Sequence, residues 1–322
     1  MLTKVGIFVG GTSLGMLGMH LYHKSLNREV PVQIQQRVDN IPNRVNVRES
    51  MSNIPLKWEG VSVPVTISDV LTREGYVTAF NRQLRNPNWV LEHLNADRLK
   101  NDGNTTREKS KFLEDPSIPE QFQAKLKDYF RSGFDRGHMA PAADVKFSQQ
   151  AMDDTFYLTN MSPQVGVGFN REYWAYLEEF CRKLTNEFKD VYVVTGPLYL
   201  PRKDPKFPNP DKWYVQYEVI GNPPNVAVPT HFFKVILAIP KNGGTPSLGG
   251  FVLPNAEIPN ETPLERFVLP VDQIEKAAGS IFFSEYGSDK ANRLPHLCKT
   301  TKCQTKLPKF IEQQRKLANG GK

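Results

Sequence analysis

The sequence predicts an α+β fold, with a mostly antiparallel central sheet flanked by helices. Three observations predict it. Apolar runs of strand length recur at residues 89–94, 191–195, 213–220, 230–239 and 250–253, separated by turn residues. One segment, residues 170–188, carries Trp174, Leu177, Cys181, Leu184 and Phe188 at spacings of three and four, the stripe of an amphipathic helix. Hydrophobic residues make up 39% of 322 residues, enough for a substantial core.

Residues 5–22 form an apolar, glycine-rich run just long enough to cross a bilayer as a helix. We read residues 1–24 as a membrane anchor or targeting segment, with a secretory leader as the alternative. Residues 25–57 are polar and lack either period, which marks a disordered linker. The globular domain is placed at residues 58–297. It opens with a short strand at 61–66, then a turn at Asn86-Pro87-Asn88 leading into strand 89–94. His93 in that strand, and His231 in strand 230–239, are read as sheet-face histidines. Residues 101–110 read as a loop.

Ser117 and Pro119 predict a helix start, with Phe122, Leu126 and Phe130 facing the core and Gly133 ending the helix. Ser148 is placed to cap a short helix through Met152. The adjacent Asp153 and Asp154 read as a charged helix end in preference to a metal site. Residues 155–158 read as a buried strand. Gly196-Pro197 is expected to break the strand before it, and residues 271–278 form a short helix followed by Gly279.

Net charge is +7 and the pI about 9.1, which suits a polyanionic partner without selecting nucleic acid by itself. The three cysteines, Cys181, Cys298 and Cys303, are too few for a disulfide scaffold. No second cysteine or histidine pair accompanies Cys298 and Cys303, which argues against structural zinc. These two either close a small loop or stay free thiols. They open a basic tail, residues 298–322, read as solvated, with non-specific phosphate affinity as the alternative.

The densest chemistry lies in Ser132-Gly133-Phe134-Asp135-Arg136-Gly137-His138-Met139-Ala140-Pro141-Ala142-Ala143-Asp144. Arg136 can hold a phosphate in a planar fork. His138 can accept a proton from water near neutral pH. Gly137 leaves room where backbone must come close, and Asp135 can orient a neighbouring donor. The competing reading is a polar turn between helix and strand. Downstream, Asn170 suits an N-cap or a metal ligand. On an ideal helix Glu178 lies about 80° around the axis and roughly 12 Å along it from Asn170, so the two cannot hold one small ion directly.

Several runs in fixed order decide between these alternatives. They are Arg85-Asn86-Pro87 with Trp89-Val90-Leu91-Glu92-His93-Leu94, the Asp135-Arg136-Gly137-His138 tetrad, and Ala151-Met152-Asp153-Asp154-Thr155-Phe156-Tyr157-Leu158. Thr195-Gly196-Pro197-Leu198-Tyr199-Leu200-Pro201 and Val228-Pro229-Thr230-His231-Phe232-Phe233-Lys234 follow. From about residue 81 to about residue 270 the chain resembles the DNA/RNA non-specific endonucleases of the ββα-metal fold, and within them the mitochondrial endonuclease G branch with its fungal members. The resemblance implies His138 as general base, Asn170 as metal ligand, Arg136 on the phosphate, and Asn160 and Glu178 as active-site support. Arg107 is the nearest candidate for the second arginine that assists in some members. It also implies Mg²⁺ with Mn²⁺ as substitute, DNA and RNA as substrates, and 5′-phosphate and 3′-hydroxyl ends. A homodimer and the mitochondrial inner membrane, facing the intermembrane space, complete what it implies. A 5′-exonuclease of the same superfamily and a catalytically silent nucleic-acid-binding protein are the alternatives.

Overall fold

The computed structural model describes residues 57–58, 61–62, 68–204, 206, 209, 211–284 and 294–304. The predicted anchor, nearly all of the linker and most of the basic tail lie outside the described residues. Among the described residues, no helix is long and apolar enough to cross a membrane. The chain divides into two units, Met1–Val65 with Pro201–Val215, and the remainder. In the first, β1 (Lys57–Trp58) pairs antiparallel with β2 (Val61–Ser62), and Arg202 bridges to Tyr214.

The second unit holds the rest of the described secondary structure. In chain order its strands are β3 (Ser68–Thr72), β4 (Tyr76–Asn81), β5 (Asn86–Leu94), β6 (Asp135–His138), β7 (Met161–Gln164), β8 (Phe188–Leu198), β9 (Val219–Ile220), β10 (Val226–Ala227), β11 (His231–Pro240) and β12 (Ser247–Pro254). Its helices are α1 (Leu126–Tyr129), α2 (Gln149–Asp154), α3 (Ala175–Leu184), α4 (Val271–Ala278) and α5 (Leu297–Thr300). One six-stranded sheet runs β12-β11-β8-β5-β4-β3, every pair antiparallel. Two small sheets, β6 with β7 and β9 with β10, stand apart from it. The predicted α+β class with an antiparallel sheet and flanking helices is therefore what the chain builds.

The centre of the large sheet is buried on both faces. Side chains alternate along a strand. Phe232, Ile236 and Ala238 of β11 therefore join Val191 and Val193 against Leu177, Cys181 and Leu184 of α3. Phe233, Val235 and Leu237 face the opposite way, onto Val271 and Ile274 of α4. That two-sided burial explains why residues 232–239 read as an apolar run broken only by Lys234.

Several expectations need correction. The helix expected over Phe122, Leu126 and Phe130 breaks into a 3₁₀ turn at Glu120–Phe122 and the single turn of α1. Phe130 ends 72% exposed, while Asp128 and Tyr129 are buried in its stead. The Asp128 carboxylate accepts from the Lys125 amide at 2.8 Å, a local bond, and from the distant Asn225 Nδ2 at 2.7 Å, and the two together hold the chain here. Gly133, at φ +86°, turns the chain after that helix has already ended. Residues 155–158 are successive turns, because the amides of Thr155, Phe156 and Tyr157 bond back to Met152, Asp153 and Asp154. The strand there is β7, which begins at Met161. The turn into β5 lies at residues 82–85, with Arg85 at φ 56°, and Asn86-Pro87-Asn88 already belong to the strand.

The stripe of the long helix stops at Leu184, and Phe188 begins β8. Gly196-Pro197 does not end β8. Pairing with β5 stops at Thr195, since proline has no N–H to offer, while pairing with β11 continues to Leu198. Of the strand expected at 213–220, Val219–Ile220 forms β9 and Tyr214 makes only an isolated bridge. β3 and β4 went unread. Helices α2 and α4 stand as expected, with Ser148 Oγ accepting from the Ala151 amide and Gly279 left-handed at φ 65°.

α4 can approach the sheet because β12 carries glycine opposite it. A Cβ on Gly250 would lie 2.6 Å from both the Leu269 carbonyl oxygen and Ile274 Cδ1. Gly250→Ala should therefore cost roughly 1–3 kcal/mol of stability by overpacking, read as a lower urea midpoint at unchanged slope.

Candidate active site

The tetrad is a strand. β6 pairs with β7 in the register Asp135↔Gln164, Arg136↔Pro163, Gly137↔Ser162 and His138↔Met161. A Cβ on Gly137 would overlap the Gln164 side chain, so the second strand can close over the first only at glycine. Past His138 the chain is clamped by Asn160. The Met139 amide donates to the Asn160 carbonyl at 2.9 Å. The Asn160 side chain accepts from the Ala140 amide at 2.9 Å and donates to the carbonyls of Ala140 and Thr155 at 2.9 and 2.8 Å. Asn160 is fully buried, and its side chain is wholly engaged with backbone. It holds the turn that presents His138.

The His138 ring meets the Phe156 ring edge-on at 5.0 Å and a tilted Phe112 ring at 5.7 Å. Its Nε2 is buried without a hydrogen-bond partner. Burial first, then the positive charges of Arg107 and Arg136, push its pKa down to about 3, so the imidazole is neutral at pH 7. The same two aromatic rings carry those guanidiniums. Arg136 sits over Phe112 at 4.1 Å and Arg107 over Phe156 at 5.5 Å. The loop bearing Phe112 is pinned by two backbone bonds, Leu113 N–H to the Phe156 carbonyl and Leu158 N–H to the Leu113 carbonyl.

Asp135 links this strand to the helix that follows. Between Gly166 and Trp174 the chain makes wide helical turns, interrupted by non-helical Val167 and by Gly168 at φ 78°. Asn170 lies inside that stretch, its amide bonded to the Val165 carbonyl at 2.9 Å, so it is not an N-cap. Its Nδ2 donates to Asp135 Oδ2 at 2.9 Å. Arg171 grips the same carboxylate through Nε and Nη2 at 2.8 and 2.6 Å. Arg171, and then Asn170 against the cost of burial, hold the Asp135 carboxyl below its usual range. A carboxylate only accepts, so the amide nitrogen of Asn170 must face it and the carbonyl Oδ1 must turn away.

Glu178 lies on α3, the helix that continues from those wide turns. Burial pushes its pKa up to about 7, with Lys234, Arg182 and Arg107 opposing and Asp144 adding to the rise. Arg107 thus acts electrostatically on both His138 and Glu178. The two sheet-face histidines are elsewhere engaged. His93 Nε2 pairs with Asp190 at 2.8 Å and stacks on Tyr192, while His231 Nδ1 meets Thr230 Oγ1 at 3.0 Å. Asp153 accepts from Ser110 Oγ and Gln149 Nε2, and Asp154 from Gln150 Nε2. Cys298 and Cys303 form a disulfide, and Cys181 is a buried thiol.

Sequence reasoning missed Phe112, Phe156, Arg171 and Lys234. For Arg171 a signal existed, since it directly follows Asn170. The aromatic pair offered none, because a cation–π bed is visible only once two loops meet.

The family described as DNA/RNA non-specific endonuclease matches residues 57–289. The chain is 48% identical over 301 residues to the mitochondrial nuclease of Saccharomyces cerevisiae, covering 91% of this chain and 89% of that one. It is 42% identical to nuclease 1, mitochondrial, of Schizosaccharomyces pombe, covering 100% and 99%. Human endonuclease G, mitochondrial, is 45% identical over 67% of this chain and 70% of its own length. A crystal structure of an EndoG/EndoGI complex superposes with a TM-score of 0.64 at 44% identity, covering 67% of this chain and 86% of that one.

Asn160→Ala should leave the Ala140 amide and the Ala140 and Thr155 carbonyls without their buried partner. At about 1–3 kcal/mol per buried unmet group, a loss of roughly 3 kcal/mol or more is expected in chemical denaturation.

Proposed function

This chain belongs to the DNA/RNA non-specific endonuclease family, and from that premise we propose that it is a mitochondrial, divalent-ion-dependent endonuclease acting on both DNA and RNA. It is an enzyme that hydrolyses phosphodiester bonds. The observation that carries the finer reading is the shared carboxylate. Asp135, one residue from Arg136 and three from His138, also fixes the amide of Asn170.

His138, neutral at pH 7, takes the proton from the attacking water. Arg136, seated on Phe112 and without an ion pair among the described residues, holds the phosphate, and Arg107 lends a second positive charge. Asn170 Oδ1, turned away from Asp135, is the protein oxygen offered to the ion. A single neutral oxygen suits Mg²⁺, which keeps most of its waters, with Mn²⁺ as substitute. When bound, such an ion supplies positive charge against the phosphate oxygen and the leaving 3′ oxygen. Glu178 acts through water, as a carboxylate bordering the same site. Asn160 supports the site by holding the His138 turn. Cleavage on that side of phosphorus leaves 5′-phosphate and 3′-hydroxyl ends.

We place residues 1–24 in the inner membrane, the nuclease domain at 58–297 facing the intermembrane space, and the basic tail at 298–322. The mitochondrial names of the yeast and human relatives support the compartment. The working form is taken to be a homodimer.

The test is closed circular plasmid and, separately, RNA, each with Mg²⁺ and with EDTA. Nicking of closed circles should require the ion. His138→Ala should lower the rate about 10²–10⁴-fold with the fold retained. Attack confined to linear ends would make the protein a 5′-exonuclease.

A further inference from the structure

The face of the large sheet that packs on α3 should be apolar throughout, and it is not. Lys234 on β11 is 1% exposed and Glu92 on β5 is 2% exposed. Lys234 pairs directly across from Thr195 on β8, which in turn pairs with Val90, two residues from Glu92. The Lys234 ammonium donates to Thr195 Oγ1 at 2.7 Å and lies 4.8 Å from the centre of the Trp174 ring. Beside them Asp144, 2% exposed, pairs with Arg182 Nη1 of α3 at 2.6 Å. Arg182 also bonds Glu179 at 2.9 Å through Nε. Trp174, Glu178 and Arg182 follow one another at intervals of four along α3 and the residue before it, so Lys234 on Trp174 and Asp144 on Arg182 flank Glu178.

Charged groups at the centre of a buried face are costly unless their charges balance. Three carboxyls, Glu92, Asp144 and Glu178, face two cations, Lys234 and Arg182. Burial first, then the negative charge of Asp144, raise Glu92 well above the carboxylate range, which favours its neutral form. Asp144 and Glu178 are then the acids set beside the two cations. Of the positive charges acting on Glu178, Lys234 is the strongest, ahead of Arg182 and Arg107. The ammonium is held in place on the sheet by Thr195 and Trp174, with no ion pair of its own among the described residues. It therefore supports the carboxylate form of whatever acid lies nearest.

We propose that Lys234 is a positioning residue for the nuclease site, keeping Glu178 an oriented carboxylate through a charge-balanced buried cluster with Glu92, Asp144 and Arg182. The inference rests on the nuclease reading above.

The test uses the full chain, closed circular plasmid and saturating Mg²⁺, with kcat and KM measured across neutral pH. In Lys234→Met the cluster carries one uncompensated negative charge, and Glu178 is the acid that takes up a proton. The acid limb of the kcat profile should move up by about one pH unit or more. At pH 7 kcat should then fall about tenfold, with KM within about twofold. Asp144→Asn removes a negative charge and should move the limb down. Lys234→Met with Asp144→Asn restores the balance and should bring the limb back toward the native position. A uniform fall in rate with the limb unmoved would overturn the proposal, as would a double variant no better than Lys234→Met. If Lys234→Met does not fold, Asp144→Asn decides alone: a limb that stays or rises contradicts the proposal. Native protein that cuts nothing would overturn the nuclease reading itself, an outcome separate from any shift of the limb.

Discussion

The Asp135 carboxylate is the interaction on which the site depends. It stands at the start of β6 and receives three donors from the chain that leaves β7, Asn170 Nδ2 and two nitrogens of Arg171. It ties the strand carrying Arg136 and His138 to the helical turn carrying Asn170. It also settles an ambiguity of chemistry. An asparagine amide presents either end, and only the oxygen end is useful to a cation. A carboxylate partner admits the nitrogen alone, so the oxygen faces away from it, as the proposed ion-binding role requires.

The second constraint is the aromatic bed. Phe112 and Phe156 enclose the His138 ring and lie beneath both guanidiniums. Burial, then the two cations nearby, keep that imidazole unprotonated. The same burial that makes a charged histidine costly makes a carboxyl reluctant to ionise, as at Glu178 and Glu92. The proposed neutral base and ionised acid therefore call for compensating cations near the acid, and Lys234 and Arg182 act on Glu178 there. α3, whose apolar stripe packs on the sheet, carries both Glu178 and Arg182.

Much of this was legible in the sequence. The tetrad and Asn170 were visible as residue types suited to phosphodiester chemistry, Asp135 as an orienting group, and Glu178 and Asn160 only through the family resemblance. The long apolar strands β8, β11 and β12 were legible because two-sided burial leaves continuous runs. β3 and β4 were not, because Ser68–Thr72 and Tyr76–Asn81 mix polar and apolar residues at the edge of the sheet. The helical spacing of Phe122, Leu126 and Phe130 misled, because Asp128 bonds to the Lys125 amide and to distant Asn225, and Tyr129 takes the buried place in the core. The role of Asn160 could not be read, since an asparagine bonded wholly to backbone looks in sequence like any other polar residue. Lys234 was passed over inside a run that otherwise reads as core, yet a lysine within such a run is itself a signal of a buried partner.

The most direct test of the account is a Mn²⁺ titration of the native protein and of Asp135→Asn, followed by electron paramagnetic resonance of the free ion. A neutral amide at position 135 no longer dictates which end of Asn170 faces it, and Arg171 loses its ion pair. The account predicts Mn²⁺ binding weakened about tenfold or more, within the range seen when a group that orients a metal ligand is changed. Equal affinity in the two proteins, with the fold intact, would contradict it, and the carboxylate at position 135 would then have no part in presenting Asn170 to the ion.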